Sequence, residues 1–195
     1  MPTLTLTGDA DADALLSDDP LALLIGMLLD QQVAMESAFA APARLAERLG
    51  VDRLDAGAIA GMDPDRLEAV FREKPALHRY PGSMAKRVHG LCQWIVAHAG
   101  GDAARIWEDA DTGDELLDTL QGLPGFGDQK ARIFTALLGK QCGVTPPGWR
   151  EAAGEYGEPG HRSIADVTSA ETLAQVRAFK QARKRARKAE AAAEG

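Results

Sequence analysis

Cysteine is nearly absent from these 195 residues. Cys92 and Cys142 lie far apart with no partner spacing, which excludes a disulfide framework and a cysteine-bound cluster. The four histidines (His78, His89, His98, His161) show no i, i+4 pairing and no nearby carboxylate pattern, so no metal site is expected. Long apolar runs are missing too. The longest, Leu21 to Leu29, has nine residues and cannot span a bilayer, so no membrane partner is expected. No charged, apolar and cleavable segment stands at the N-terminus, and the expected location is the cytoplasm. Aromatic residues make up only 5% of the chain and β-branched runs are scarce, while Ala, Leu and Glu abound. These proportions predict an all-α fold. Positive charge is also short, with 22 basic against 29 acidic residues and a net charge of −7, which argues against a protein that coats nucleic acid. The deficit is uneven. Residues 175–195 hold seven basic and two acidic residues, a local +5 that leaves −12 for residues 1–174. This basic tail, about 177–195, suits a solvated helical face or contact with phosphates.

Met1 to Gly8 alternates Thr and Leu and predicts a short edge strand. A brief helix is expected over Asp11 to Leu16. Pro20, preceded by Asp18 and Asp19, then opens an all-round apolar helix through Leu29 that belongs in the middle of the fold. A helical pattern resumes from Val33 to Leu49, where Pro42 should kink or split it. Short helices follow at Ala56 to Gly61 and Pro64 to Phe71, then a loop from Glu73 to Ser83 and a helix from Met84 to Ala99. Lys140 to Arg162 carries three prolines and five glycines and reads as loop apart from Trp149 to Ala153. A last helix is expected from about Ser169 into the tail.

Two stretches carry chemistry. In Leu120 to Gly139, LQGLPGFGDQKARIFTALLG, one helix ends and another begins around Pro124, with Gly125 and Gly127 flanking Phe126 and Asp128 as the expected N-cap. Glycines one residue apart leave backbone N–H groups uncovered. The start of the second helix adds free N–H groups and a positive dipole end, so the turn can hold one phosphate. The same residues also suit a plain αα-hairpin whose glycines permit close packing. The second stretch places Gln31 and Gln32 directly after the apolar helix. Glutamine can wedge into a duplex where a nucleotide has been extruded, or can satisfy backbone groups at helix ends.

Together these stretches resemble the helix-hairpin-helix–GPD superfamily of base-excision DNA glycosylases, of the endonuclease III and alkylbase glycosylase kind. LPGFG resembles the family's LPGVG hairpin. Asp30-Gln31-Gln32-Val33 is similar to its QQVS-type turn, and Gly82-Ser83-Met84-Ala85-Lys86 to its S-x-x-K-type segment. The matches keep the family's order from about Leu21 to Ala153. The resemblance implies a bilobal helix-hairpin-helix glycosylase fold with a cleft between lobes. One lobe covers about 30–140 with the hairpin at 120–139, and the other combines about 1–29 with 141–195. It further implies a monomer whose partner is double-stranded, damaged DNA, and nucleoid association in a bacterial cell. The expected DNA-binding residues are Gln31, Gln32, Leu123, Gly125, Phe126, Gly127, Gln129 and Lys130, with room for a monovalent cation at the hairpin backbone. No cofactor is expected, and the family's four-cysteine iron–sulfur loop is missing.

Where strand-cleaving members carry a nucleophilic lysine, this chain has Gln129, with Lys130 one position late and about 100° round the helix. The signature aspartate's place falls at about Pro146 or Pro147, and no carboxylate lies between Asp128 and Glu151. Its loss removes a large electrostatic contribution to the cationic sugar of the transition state. Asp30 and Glu151 are the substitute candidates, with Glu36 a third carboxylate near the glutamines. Trp149 and Tyr156 could stack on a base or pack in the core. Two functions follow from the resemblance. One is a monofunctional glycosylase that flips and excises a base by hydrolysis, without lyase activity. The alternative is a non-catalytic lesion-binding or adaptor protein on the same fold.

Overall fold

The computed structural model describes residues 3–193, and every regular element among them is helical. The helices are α1 (Ala10–Asp18), α2 (Pro20–Leu29), α3 (Met35–Leu49), α4 (Ala56–Ala60), α5 (Pro64–Arg72) and α6 (Pro81–Ala99). They continue with α7 (Arg105–Glu108), α8 (Gly113–Gln121), α9 (Asp128–Gln141), α10 (Trp149–Ala153) and α11 (Ala170–Ala193), with 3-10 turns at Gly154–Tyr156 and Ile164–Asp166.

The chain is arranged around α2. Leu21 to Leu29 is buried on every side, as an all-round apolar helix must be. Pro20 occupies its first turn, and Asp19 accepts hydrogen bonds from the N–H groups of Leu21 and Ala22. The second Asp19 oxygen accepts from the Leu54 N–H at 2.8 Å, tying the start of α2 to the approach to α4. α3 packs along α2. Gly26 permits the closest approach, since a Cβ there would lie 2.7 Å from the Phe39 ring. α4 and α5 lie against α6, and α8, α9 and α10 form a second packed group.

Three local expectations need correction. The N-terminal edge strand does not form among the described residues, and Met1 and Pro2 lie outside them. Its N–H groups find side chains instead. Leu4 donates to Ser17 Oγ, and Leu6 and Thr7 donate to Asp13 Oδ1, with Leu4 and Leu6 buried against α1 and α2. Pro42 does not split α3, which runs unbroken from Met35 to Leu49. An interior proline costs about 3 kcal/mol, and the burial of Ala38, Phe39, Ala41, Pro42 and Leu45 offsets it. The helix cap after the hairpin is Gly127, with Asp128 its first helical residue.

Candidate nucleic-acid interface

α8 ends at Gln121, six residues turn, and α9 begins at Asp128. The turn is shaped by burial. Leu123 and Phe126 are 2% and 4% exposed, and the Phe126 ring meets Phe134 edge-on at 6.0 Å. Their side chains therefore set the turn and do not reach a surface ligand. Between them Gly125 takes φ +83, where a Cβ would stand 2.5 Å from Leu28 Cδ1. Only glycine fits there. Phe126 N–H returns to the Leu123 carbonyl at 3.0 Å. The N–H groups of Gly125, Gly127, Asp128, Gln129 and Lys130 meet no acceptor among the described residues. They form an uncovered donor set at the positive end of a 14-residue helix. Beside it, the Asp128 carboxylate accepts from Gln121 Nε2 and Arg132 Nε.

The two glutamines part company. Gln31 is built into the frame, its amide donating to the Leu28 carbonyl at 2.7 Å and accepting from Arg87 Nη1 at 2.9 Å. Gln32 is exposed and has φ +57, the one non-glycine residue with positive φ in the described chain. Its side chain makes no hydrogen bond there, so a strained backbone presents a free amide to solvent.

His78 holds this turn from below. Buried, it directs Nε2 to the carbonyls of Leu29 and Gln31, 3.1 Å each, while Nδ1 accepts from the Tyr80 N–H. That pattern fixes the neutral ring with its proton on Nε2. Burial lowers its pKa from 6.5, against the two backbone hydrogen bonds, which raise it.

Lys130 joins the hairpin to the glutamine turn. Its Nζ donates to the carbonyls of Met27 at 2.7 Å and Leu28 at 2.9 Å, with Asp30 O at 3.5 Å. It thus caps the C-terminal end of α2, where a cation is favoured. Burial pulls its pKa down from 10.5 to about 8; Asp30 opposes this and Arg87 adds to it. Burial pushes the Asp30 carboxyl above its ordinary value, while Lys180 and Lys130 pull it down. Gln129 faces away from this lysine and donates to the Tyr156 hydroxyl at 2.8 Å.

Hairpin, glutamine turn, Asp30, Gln129 and Lys130 therefore lie together, while Glu151 does not join them. It is exposed on α10, at the edge of a separate depression with Glu158 and Pro159. Glu36 pairs with Arg177, and its Oε2 is buried without a partner among the described residues. The Pro146–Pro147 loop is bound to α8 through Gly113 N–H and the Pro147 carbonyl at 2.8 Å. Trp149 is core, its ring seated over Gly139, where a Cβ would stand 2.3 Å away.

The sequence model described as "HhH-GPD superfamily base excision DNA repair protein" matches residues 25–195. The chain belongs to this superfamily. Its all-α architecture and helix-hairpin-helix element accord with that membership. The described helices include none long and apolar enough to cross a membrane. A further similarity, 36% identity over 108 residues, is to a protein named histidinol-phosphate aminotransferase from Paramagnetospirillum magneticum. It covers 50% of this chain and 28% of that protein. The chain thus spans little more than a quarter of that relative's length, and the name describes that protein alone. No solved structure matches the chain.

Reasoning along the sequence missed His78, Arg87 and the capping role of Lys130. Each acts across 47 to 103 positions, a separation at which spacing carries no signal.

Proposed function

We propose that this chain binds double-stranded DNA at an extruded nucleotide and excises the base as a monofunctional glycosylase. The observation carrying this reading is the convergence of the uncovered hairpin N–H groups with the strained, free Gln32. The two are linked through Lys130 of α9, which donates to α2 carbonyls, and through Arg87, which bonds Gln31 and lies beside Gly125. One phosphate sits at the N–H groups of Gly125 and Gly127, and Gln32 fills the gap left by the flipped nucleotide. The lobes of about 30–140 and 1–29 with 141–195 meet at this line.

Asp30 is the carboxylate in place to stabilise a cationic sugar, and water is the nucleophile. Gln129 carries no amine, and the Lys130 ammonium is held on three backbone carbonyls. Hydrolysis without strand cleavage follows. A second reading, a lesion-binding adaptor without chemistry, is favoured by the Pro146–Pro147 loop and by the outward position of Glu151. Duplexes bearing single modified bases, incubated with the protein and then treated with alkali, separate the two. Breaks that appear only after alkali support the glycosylase. Tight binding with no breaks across a broad lesion panel rejects it in favour of the adaptor.

A further inference from the structure

The last helix changes character along its length. In its first two turns α11 docks through apolar side chains: Val176 is buried and Leu173 packs against the core. Beyond them the side facing the body turns cationic. Arg177, Lys180, Lys184 and Arg187 recur at intervals of three, four and three residues, which places them on one helical face. Past Arg177, which pairs with Glu36, this face borders a cavity of about 250 Å³ between α11, α9 and the 3-10 turn at Gly154–Tyr156. Gln129, Ile133, Tyr156 and Phe179 contribute a part-apolar lining, while Arg162, Lys180, Arg183, Lys184 and Arg187 bring positive charge.

Compensation is incomplete. Arg183 makes a two-pronged pair with Glu155 at 2.8 and 2.9 Å, and Arg162 pairs with Glu158 at 2.9 Å. That Arg183 hydrogen bond holds the Glu155 carboxyl below its ordinary range. Lys180 reaches Met35 Sδ at 2.9 Å. Lys184 and Arg187 form no salt bridge among the described residues, in a chain of net charge −7.

The location is as telling as the charge. Gln129 belongs both to this cavity and to the first turn of α9, whose N–H groups are uncovered. At the other end, Arg177 and Lys180 reach Glu36 and Met35, four and three residues past Gln32 respectively. α11 therefore runs beside the line joining the hairpin to the glutamine turn.

We infer that the cationic face of α11 is a second phosphate-binding element. Lys184 and Arg187 hold backbone phosphates of the same DNA strand that the hairpin grips, where it passes the Gln129–Tyr156 pair. This rests on the DNA-binding reading above and adds to it a site on the tail helix. Ion pairs from Glu36 and Glu155 hold the helix in position, and the two unpaired cations face the strand.

The test is binding of a duplex carrying a single abasic analogue, measured from 50 to 200 mM salt with the full chain and with the Lys184→Ala/Arg187→Ala variant. Both side chains are exposed and make no salt bridge, so the variant folds. Two lost phosphate contacts flatten the plot of log affinity against log salt by about 1.8. Over that fourfold range the full chain then loses roughly tenfold more affinity than the variant. Parallel plots overturn the assignment, and tighter binding by the variant overturns it by showing that α11 obstructs the strand. A full chain that binds no duplex at any salt sinks the DNA reading itself. Parallel plots with binding that still depends on the hairpin glycines sink only the tail site.

Discussion

Lys130→Met isolates the link between hairpin and α2. With a pKa of about 8 in the native state against 10.5 normally, Lys130 holds fewer protons folded than unfolded between those values. Stability contributed by this group therefore rises with pH across that window. The ionised form costs the native state about 3 kcal/mol at pH 7 and just under 1 at pH 10, a difference of about 2.5 kcal/mol. A methionine of similar length removes the titration and leaves the stem buried. Urea unfolding of both proteins at pH 7 and pH 10 gives the comparison, since groups that do not interact with Lys130 cancel. The wild type should gain about 2.5 kcal/mol on the variant as the pH rises. An unchanged difference would mean that the lysine titrates normally and is not held in the buried position described. Its amine would then be free for chemistry, and the hydrolytic reading would lose its main support. A companion assay is borohydride reduction with abasic DNA, where no covalent protein–DNA product is expected from the wild type; a trapped product refutes the hydrolytic mechanism.

The two hairpin glycines should separate folding from binding. Gly125→Ala forces a Cβ to 2.5 Å from Leu28 Cδ1 at φ +83 and should cost about 2–4 kcal/mol in denaturant unfolding. Gly127→Val, at φ −83 with nothing within 4 Å of its Cβ, should stay within about 1 kcal/mol of wild type. It should nevertheless weaken duplex binding by at least about tenfold, or 1.4 kcal/mol; unchanged affinity removes the hairpin from the interface. For His78, whose pKa is lowered by burial, the folded chain binds fewer protons than the unfolded chain below about pH 6.5. Thermal stability should therefore fall as the pH drops below 6.5, and His78→Gln should flatten that slope; equal slopes would show that the ring titrates freely.

What the sequence disclosed was local. The apolar Leu21 to Leu29 run and the hairpin glycines are signals within a few residues; the first forms the buried helix α2 and the second the turn between α8 and α9. What stayed hidden was pairing at a distance. Nothing near Gln31 distinguishes it from Gln32, yet Arg87, on a helix 56 positions later, binds one and leaves the other free. The N-terminal strand failed for a similar reason. Alternation of Thr and Leu predicts extension, but whether a second strand or the side chains of Asp13 and Ser17 receive its N–H groups is decided by the helix that follows. Pro42 is overruled by the burial of its neighbours on α3, the helix that packs against α2, and no local rule contains that burial.

The Lys130 contacts carry one more consequence. They span 100 to 103 positions and bolt the first turn of α9 to the last carbonyls of α2. With the Gly125–Leu28 approach and the Arg87–Gln31 bond, they leave no hinge between the hairpin and the glutamine turn. The spacing between the two elements is a rigid gauge. On the proposed DNA-binding function, a duplex that engages both has to adapt to this fixed spacing, so the energy of deforming it enters selection before any base is read.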